Sequence, residues 1–454
     1  VQHPEVAPGL ASDGGRRLRI ALLSYRSKPH CGGQGVYIRH LSRELMNLGH
    51  EVEVISGPPY PELDPGVGLT LAPSLDLYRD PDPFRVPWPS EFRTSIDVLE
   101  FALMSTAAFP EPLTFSLRAH RLLKKRQQSG APMPDVIHDN QTLGYGMLLM
   151  QRDGMPIIAN VHHPITVDRQ LDLAAAPLRK KWSKLRWYSF LRMQKRVIQR
   201  MDSLVTVSEN SYDDIVRDFE VDARRMRVIP VGVEHDVFVP PTVPRVPGRI
   251  VATASADHPL KGIVPLLEAV AKLRTERDVE LIIVGKASEG GAAAKTIERL
   301  SLEDTVRFVT GVSEAELVSI FGSAHVGVVP SLYEGFSLPA IELMSCATPL
   351  VATTAGALPE VVGDAAYSVP PGDTEALAAA IKAVMDDDEL AATLGAAGRA
   401  RVLEIYTWQS VAAQTAQWYR DYLGETVPNP TAVQMRGGMR KHGLNGHPAT
   451  RVEQ

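Results

Sequence analysis

The stretch PSLYEGFSLPAIELMSCATP, residues 330–349, carries two carboxylates, Glu334 and Glu342, with Gly335, Phe336 and Pro339 between them. The apolar run VGVVPS leads into it and reads as a buried strand. SLPAIELMSCA follows and reads as a helix, with Pro339 near the first turn, where a missing N–H is tolerated. Glu334 then stands at the strand's exit, and Glu342 about two turns further along. Between them the N–H groups of Gly335, Phe336, Ser337 and Leu338 open outward at the helix start. Carboxylates accept hydrogen bonds from vicinal hydroxyls while free backbone donors fix other oxygens, so the chemistry this pattern suits is that of a sugar. The plainer reading is one glutamate favoured by the helix macrodipole and a second one in solvent.

The elements that must hold these groups follow from periodicity. LRIALLSY (18–25) is a buried-strand run, followed by the loop RSKPHCGGQG and a helical pattern through Tyr37, Leu41, Leu45 and Leu48 that Gly49 caps. HEVEVISG is the next strand, and strand, helix, strand is the unit of parallel sheets. Shorter β-rich runs at DVIH, PIIANVH and SLVTVS extend an α/β domain to about residue 225. VIPVGVEHDVFVPPTVPRVPG (228–248), dense in Pro and Val, suits an interdomain linker. Beyond it RIVATA, VELIIVG, VRFVTG, VGVVPS and PLVATT alternate with helix-length segments, which predicts a second doubly wound domain.

The expected organisation is a flexible tail over 1–17, a Rossmann-like domain over 18–228, a second over 229–405, a helix over 406–424 crossing back to the first, and a disordered tail over 425–454. Two such α/β domains form a cleft at the carboxyl ends of their strands, where ligands bind. GGQG opens the first helix there. Gly32 and Gly33 let backbone N–H groups approach an anion, or simply permit tight packing; the motif is neither a Walker loop nor a G-x-G-x-x-G fingerprint.

Composition sets the bounds. A chain of 454 residues exceeds one ordinary core, and 44% hydrophobic with 22% charged residues describes a globular protein with material for two. A net charge of −5 gives no general argument for nucleic acid. Cys31 and Cys346, far apart, suggest neither a disulfide framework nor a cysteine metal site, and fit a reducing cytoplasm. The apolar runs are strand-sized, short of the roughly 20 residues of a membrane-spanning helix. The first residues lack the apolar core of a signal peptide.

Four blocks, in chain order GGQGVYIRHLSRELMNLGHEVEVIS, VTVSENSYDDI, VIPVGVEHDVF and PSLYEGFSLPAIELMSCATPLVATTAGALPEVV, resemble the retaining glycosyltransferases of family four (glycosyl transferases group 1). That resemblance runs from about residue 18 to 423 and implies the GT-B fold, two doubly wound Rossmann-like domains facing each other across a cleft. It implies that Glu334 binds hydroxyls of the donor sugar, with Gly335, Phe336, Ser337 and Leu338 giving backbone contacts, and that Glu342 holds the nucleotide ribose. Lys261, in ADHPLKG, matches the lysine on the donor diphosphate, a cation that a departing diphosphate also calls for. His162 in ANVHHP, or its neighbour His163, falls near the reacting sugar, and Val312 meets the base through its backbone. A surface lysine at a helix start and a satisfied polar residue at a strand end are the plainer readings of Lys261 and the histidine. The chain departs from the family at Ser255 and Ala256, where an arginine is usual, at Val231 for asparagine, and at Ala357 for glycine.

The implied reaction moves a hexose from a UDP- or GDP-linked sugar to an acceptor such as a lipid or cell-envelope glycan, without metal or other cofactor, by front-face displacement. A GT-B nucleotide-sugar epimerase and a non-catalytic nucleotide-sugar-binding protein are the alternatives. RDPDP (79–83) reads as a proline-rich loop rather than a metal-binding triplet. From Arg179 to Arg200 every charged residue is basic, with Trp182, Trp187, Tyr188 and Phe190 interleaved. Such a segment can lie on an anionic membrane at its inner face. Its apolar residues keep to no single stripe, which favours helices that turn their aromatics inward.

Overall fold

The computed structural model describes residues 15–425 apart from 28–32, 80, 163–164, 167–168, 171–172, 174–176, 254–257, 287 and 289. The first sheet holds β1 (Arg19–Ser24), β2 (Glu51–Ser56), β3 (Gly68–Leu71), β4 (Val136–Asn140), β5 (Ile157–Asn160), β6 (Leu204–Thr206) and β7 (Met226–Val228) in the order 3-2-1-4-5-6-7. The second holds β8 (Val246–Thr253), β9 (Glu280–Val284), β10 (Val306–Val309), β11 (Ala324–Val329), β12 (Leu350–Thr353) and β13 (Tyr367–Val369) in the order 10-9-8-11-12-13. Every paired strand is parallel. A parallel sheet is covered on both faces, so its central strands are apolar throughout: β4 and β12 are buried along their whole length.

Three strands lie outside the apolar runs singled out in the sequence. β3, β7 and β13 are three or four residues long and sit at or next to sheet edges, where solvent exposure dilutes the apolar signal. Between β2 and the helix Glu111–Gln128, the chain also makes an excursion that carries β3 and the helix Ser95–Ser105. Arg118 ties it down by reaching Asp97 at 2.6 Å and Glu100 at 2.7 Å.

Two crossings join the units. In the first, Val233 N–H donates to Tyr406 O at 2.8 Å, bringing the linker against the start of the last helix, Trp408–Leu423. That helix starts at Thr407, whose Oγ1 accepts from Ser410 N–H, and lies on the first unit. There Tyr419 OH meets His138 Nδ1 at 2.7 Å and Trp418 Nε1–H donates to Ser203 Oγ at 2.9 Å. Burial lowers the His138 imidazole to about 3, so it stays neutral and the contact is a packed polar latch.

The basic segment forms two helices, Leu178–Trp187 and Phe190–Ile198. The second buries Phe190, Leu191, Met193, Val197 and Ile198. In the first, Trp187 packs on Phe109 and Tyr78, while Trp182 remains 67% exposed. No helix among the described residues is long and apolar enough to cross a membrane.

Candidate functional site

The strand order reverses between β1 and β4 in one sheet and between β8 and β11 in the other, and ligands of open parallel sheets sit beyond the strand ends at such switch points. A cavity of about 380 Å³ lies there, bounded by both units. Its walls include His162, Lys261, Glu334, Gly335, Phe336, Ser337 and Leu338, so most of the residues expected from sequence converge.

The second unit supplies the charged wall. β11 ends at Val329, and the turn that follows delivers Glu334 into the cleft, 8% exposed. Lys261 Nζ and Ser331 Oγ both donate to Glu334 Oε1, at 2.8 and 2.7 Å. Among the described residues Oε2 accepts no protein hydrogen bond, leaving a carboxylate oxygen for a hydroxyl. Two glycines permit this turn. Gly262, with φ +64°, brings Lys261 so close that a Cβ would sit 1.8 Å from Pro330 O; at Gly356, with φ +55°, a Cβ would sit 2.2 Å from Glu334 O. Ser337 begins the helix Leu338–Ser345 in a left-handed conformation, φ +98°, which strains a non-glycine residue. Among the described residues its buried hydroxyl has no hydrogen-bond partner. A strained residue with an orphaned polar atom at a helix N-terminus facing a cavity is suited to an anionic or polyhydroxy ligand.

The first unit supplies a neutral wall. Asp139 Oδ2 accepts from Thr142 and Leu143 N–H at 2.8 and 3.1 Å, curling the chain after β4 so that Gln141 and Leu143 take φ +57° and +51°. Gln141 Oε1 then accepts the backbone N–H of His162 at 2.9 Å. Asn140 Nδ2 donates to Gln34 O at 3.3 Å, which turns its Oδ1 toward His162 Nε2. Asn160 Nδ2, the other neighbour of Nε2, stays at 3.5 Å. The proton therefore sits on Nε2, and Tyr37 packs edge-on to the ring at 4.7 Å. Burial lowers His162 to about 4, so it enters neutral pH as imidazole, not imidazolium.

The walls are clamped together. Gly335 O accepts from Ser208 Oγ at 2.6 Å and Ser211 Oγ at 2.9 Å, both at the start of the helix Glu209–Phe219. Glu360 caps that same helix start from the second unit, accepting from Glu209 and Asn210 N–H at 2.8 and 3.2 Å. Tyr333 OH bonds Asp214. VTVSENSYDDI thus fixes the loop that carries Glu334.

Glu342 and Val312 are not among the residues of this cavity's wall. Val312 follows β10 just before Ser313, which caps the helix Glu314–Ser323. Glu342 is raised to about 7, by burial first and then by the charge of Glu314. Glu314 in turn faces Glu234, which Arg43 reaches at 2.9 Å and His40 Nδ1 approaches to 3.3 Å. The two residues expected at the ribose and the base therefore flank one carboxylate, Glu314. Gly33 opens the first helix, next to Gln34 in the cavity wall. Gly32, His163, Ser255 and Ala256 lie outside the described residues.

Gln34, Asn140, Gln141, His258 and Tyr333, which line or brace the cavity, carry no expectation from sequence, and Tyr37 was expected only as an apolar position of the first helix. Their usable signal was position: Gln34 and Tyr37 open the helix after β1, and Asn140 and Gln141 end β4, the two strands at the switch point. Val231, where the family has asparagine, is in the wall, and Ala357 N–H donates to Glu334 O at 2.9 Å.

Comparison with known proteins follows the same division. Residues 31–237 match the family described as Glycosyltransferase Family 4, and residues 242–401 the one described as Glycosyl transferases group 1. The chain is 54% identical over 406 residues to the MMP alpha-(1->4)-mannosyltransferase of Mycolicibacterium hassiacum, covering 88% of this chain and 98% of that protein. Among solved structures, sucrose-phosphate synthase from Thermosynechococcus elongatus superposes with a TM-score of 0.65 at 24% identity, covering 90% of this chain and all 100% of the other. Anabaena Alr3699/HepE in complex with UDP-glucose gives 0.63 at 17% identity, covering 89% and 100%. At those identities the structures share the fold. With two parallel Rossmann-like sheets across a cleft, a family match on each half and a relative sharing more than half its residues, the chain belongs to the group 1, family 4 glycosyltransferases of the GT-B fold.

Proposed function

We propose that the protein is a retaining mannosyltransferase that takes mannose from a GDP- or UDP-linked donor and builds an α-(1→4) linkage on a glycan acceptor. One observation carries the reading: Lys261, Glu334 and the orphaned Ser337 hydroxyl converge from one unit on a cavity whose opposite wall presents His162. The named activity of the Mycolicibacterium hassiacum relative supports mannose and the linkage, and the UDP-glucose held by the Anabaena structure supports a nucleotide-linked donor.

In this reading Lys261 leaves Glu334 for the donor diphosphate, and Glu334 accepts from sugar hydroxyls. Glu342 takes the ribose hydroxyls, and the backbone at Val312 the base. The bond from the anomeric carbon to the diphosphate oxygen breaks as the acceptor oxygen bonds to the same face, and the acceptor's proton passes to a diphosphate oxygen. Lys261 and the Ser337–Leu338 helix start stabilise the charge that gathers on the leaving group, so the residues themselves supply the cation and no metal is invoked. His162 stays neutral and lends its imidazole dipole near the anomeric carbon, avoiding a second positive charge beside a developing one.

The test begins with a thermal-shift screen of GDP- and UDP-linked mannose and glucose, since a tight ligand raises Tm by mass action. Transfer to α-(1→4)-linked oligosaccharides with the selected donor follows, and NMR of the product reads the linkage and anomer. A β-linked product removes the retaining assignment. Donor breakdown without transfer favours the epimerase or hydrolase class, and donor binding without turnover favours a binding protein.

A further inference from the structure

We propose that a second cavity, in the first unit and away from the cleft, binds an amphipathic anion: a phosphate or carboxylate head on an apolar body. The cavity measures about 470 Å³, within the roughly 300–1,000 Å³ range of small-molecule sites, and lies between residues 72–75, residues 93–97 and the helix Glu111–Gln128. The excursion after β2 builds it.

Its chemistry is two-sided. Leu75, Ile96 and Leu122 give apolar wall, while Arg93, Arg121 and Lys125 put three cations around it. Both acidic residues of the lining are already paired: Glu91 with Arg85 at 2.6 Å, and Asp97 at 2.6 Å with Arg118, a fourth lining cation that is neutralised within the wall. Among the described residues Arg93, Arg121 and Lys125 pair with no carboxylate. An anion relieves the mutual repulsion of three like charges and gains charge-assisted hydrogen bonds from two guanidinium groups. Neutral sugar is a poor match, because among the described residues no free carboxylate and no aromatic ring lines the cavity. Bare phosphate leaves the apolar wall wet, and a plain alkane leaves the cations unmatched. A molecule with both parts satisfies both walls.

The test is calorimetry on the full chain with monomeric decyl phosphate, with inorganic phosphate and decanol as the two halves of the probe. Decyl phosphate is expected to bind at one per chain, at least 10-fold more tightly than either half. The combined R93Q, R121Q and K125Q substitutions should weaken it at least 10-fold, and Leu122→Asp, on a partly exposed position, should do the same from the apolar side. Unchanged affinity of both variants for the donor nucleotide shows that the fold and the cleft are intact. Sedimentation with phosphatidylglycerol vesicles against phosphatidylcholine vesicles separates the sources of such a head: retention on the anionic vesicles, lost in the triple variant, assigns a lipid, and monomer binding without retention assigns a soluble ligand. Equal affinity of wild type and variants for decyl phosphate, or no binding of either decyl phosphate or anionic vesicles, overturns the proposal.

Discussion

The two walls of the cleft solve opposite electrostatic problems. The second unit brings a cation and a carboxylate into contact, Lys261 on Glu334, and leaves a hydroxyl at Ser337 unpaired. The first unit brings uncharged groups together and pairs them: Gln141 with the His162 backbone, Asn140 with its ring, Tyr37 against its face. A wall with charge in reserve can exchange partners when a charged ligand arrives. A wall of uncharged groups can orient a ligand but cannot neutralise one. In the proposed mechanism the charged wall takes the anion and the neutral wall orients the sugar.

Breaking the charged wall should have the largest effect. Lys261→Ala is expected to lower turnover by about 10²- to 10³-fold and to weaken nucleotide binding as well, because in the proposed mechanism the cation meets the diphosphate before and during reaction. Calorimetry beside initial rates reads both. Intact nucleotide affinity would place Lys261 outside the donor site.

The neutral wall should separate the two readouts. His162→Ala is expected to keep most nucleotide affinity and to lose about 10²-fold in turnover, with His163→Ala as the neighbouring control. Because His162 is lowered to about 4, the turnover profile of the wild type should show no imidazole inflection between pH 5.5 and 8. An inflection near 6.5 that vanishes in His162→Ala would mean a protonated role.

A smaller effect is expected from the clamp between the walls. Removing both hydroxyls that hold Gly335 O, by Ser208→Ala with Ser211→Ala, should reduce kcat/KM by about 10-fold through misplacement of Glu334 and lower stability by about 1–2 kcal/mol. Denaturant unfolding and steady-state kinetics check the pair. Lost stability with full activity would make the clamp purely architectural.

The smallest expected effect concerns Glu342. Its carboxyl is raised to about 7 in the folded chain, against an ordinary value of 4.5, so the folded state binds the extra proton between those values. The favourable protonated form is fully present below 4.5 and is lost as pH rises through 7. Glu342→Gln should therefore raise Tm by roughly 1–3 °C at pH 8 and by nothing at pH 4.5, while weakening nucleotide affinity. A gain independent of pH would remove the titration argument, and unchanged nucleotide affinity would remove the ribose assignment.

Much of the site was legible because its residues are neighbours in sequence. Glu334 to Leu338 follow one strand and start one helix, so local rules of strand exit, proline tolerance and helix ends place them. β3, β7 and β13 were not legible: GLTL, MRV and YSV carry two large apolar residues each, whereas β10, as short and also at an edge, carries three in VRFV and was read. Gln34, Asn140 and Gln141 were not either, since a polar side chain at a strand or helix end reads alike whether it faces solvent or a cleft, and Tyr37 read as one more apolar position of its helix.

By itself the sequence determined the alternation of apolar runs, hence two doubly wound sheets, and the order of residues within each loop. Only the tertiary structure decided which loops meet. Lys261 and Glu334 are 73 positions apart yet share a proton-donor contact, and Ser208 lies 127 positions from the carbonyl it holds. Such contacts depend on strand order and on how two sheets face each other, and neither is written in any local window. The cavity beside Arg121 shows the same limit. Three of its cations, Arg93, Arg121 and Lys125, belong to a loop and a helix brought together by packing of the excursion, and their lack of carboxylate partners among the described residues is a property of three-dimensional neighbours alone.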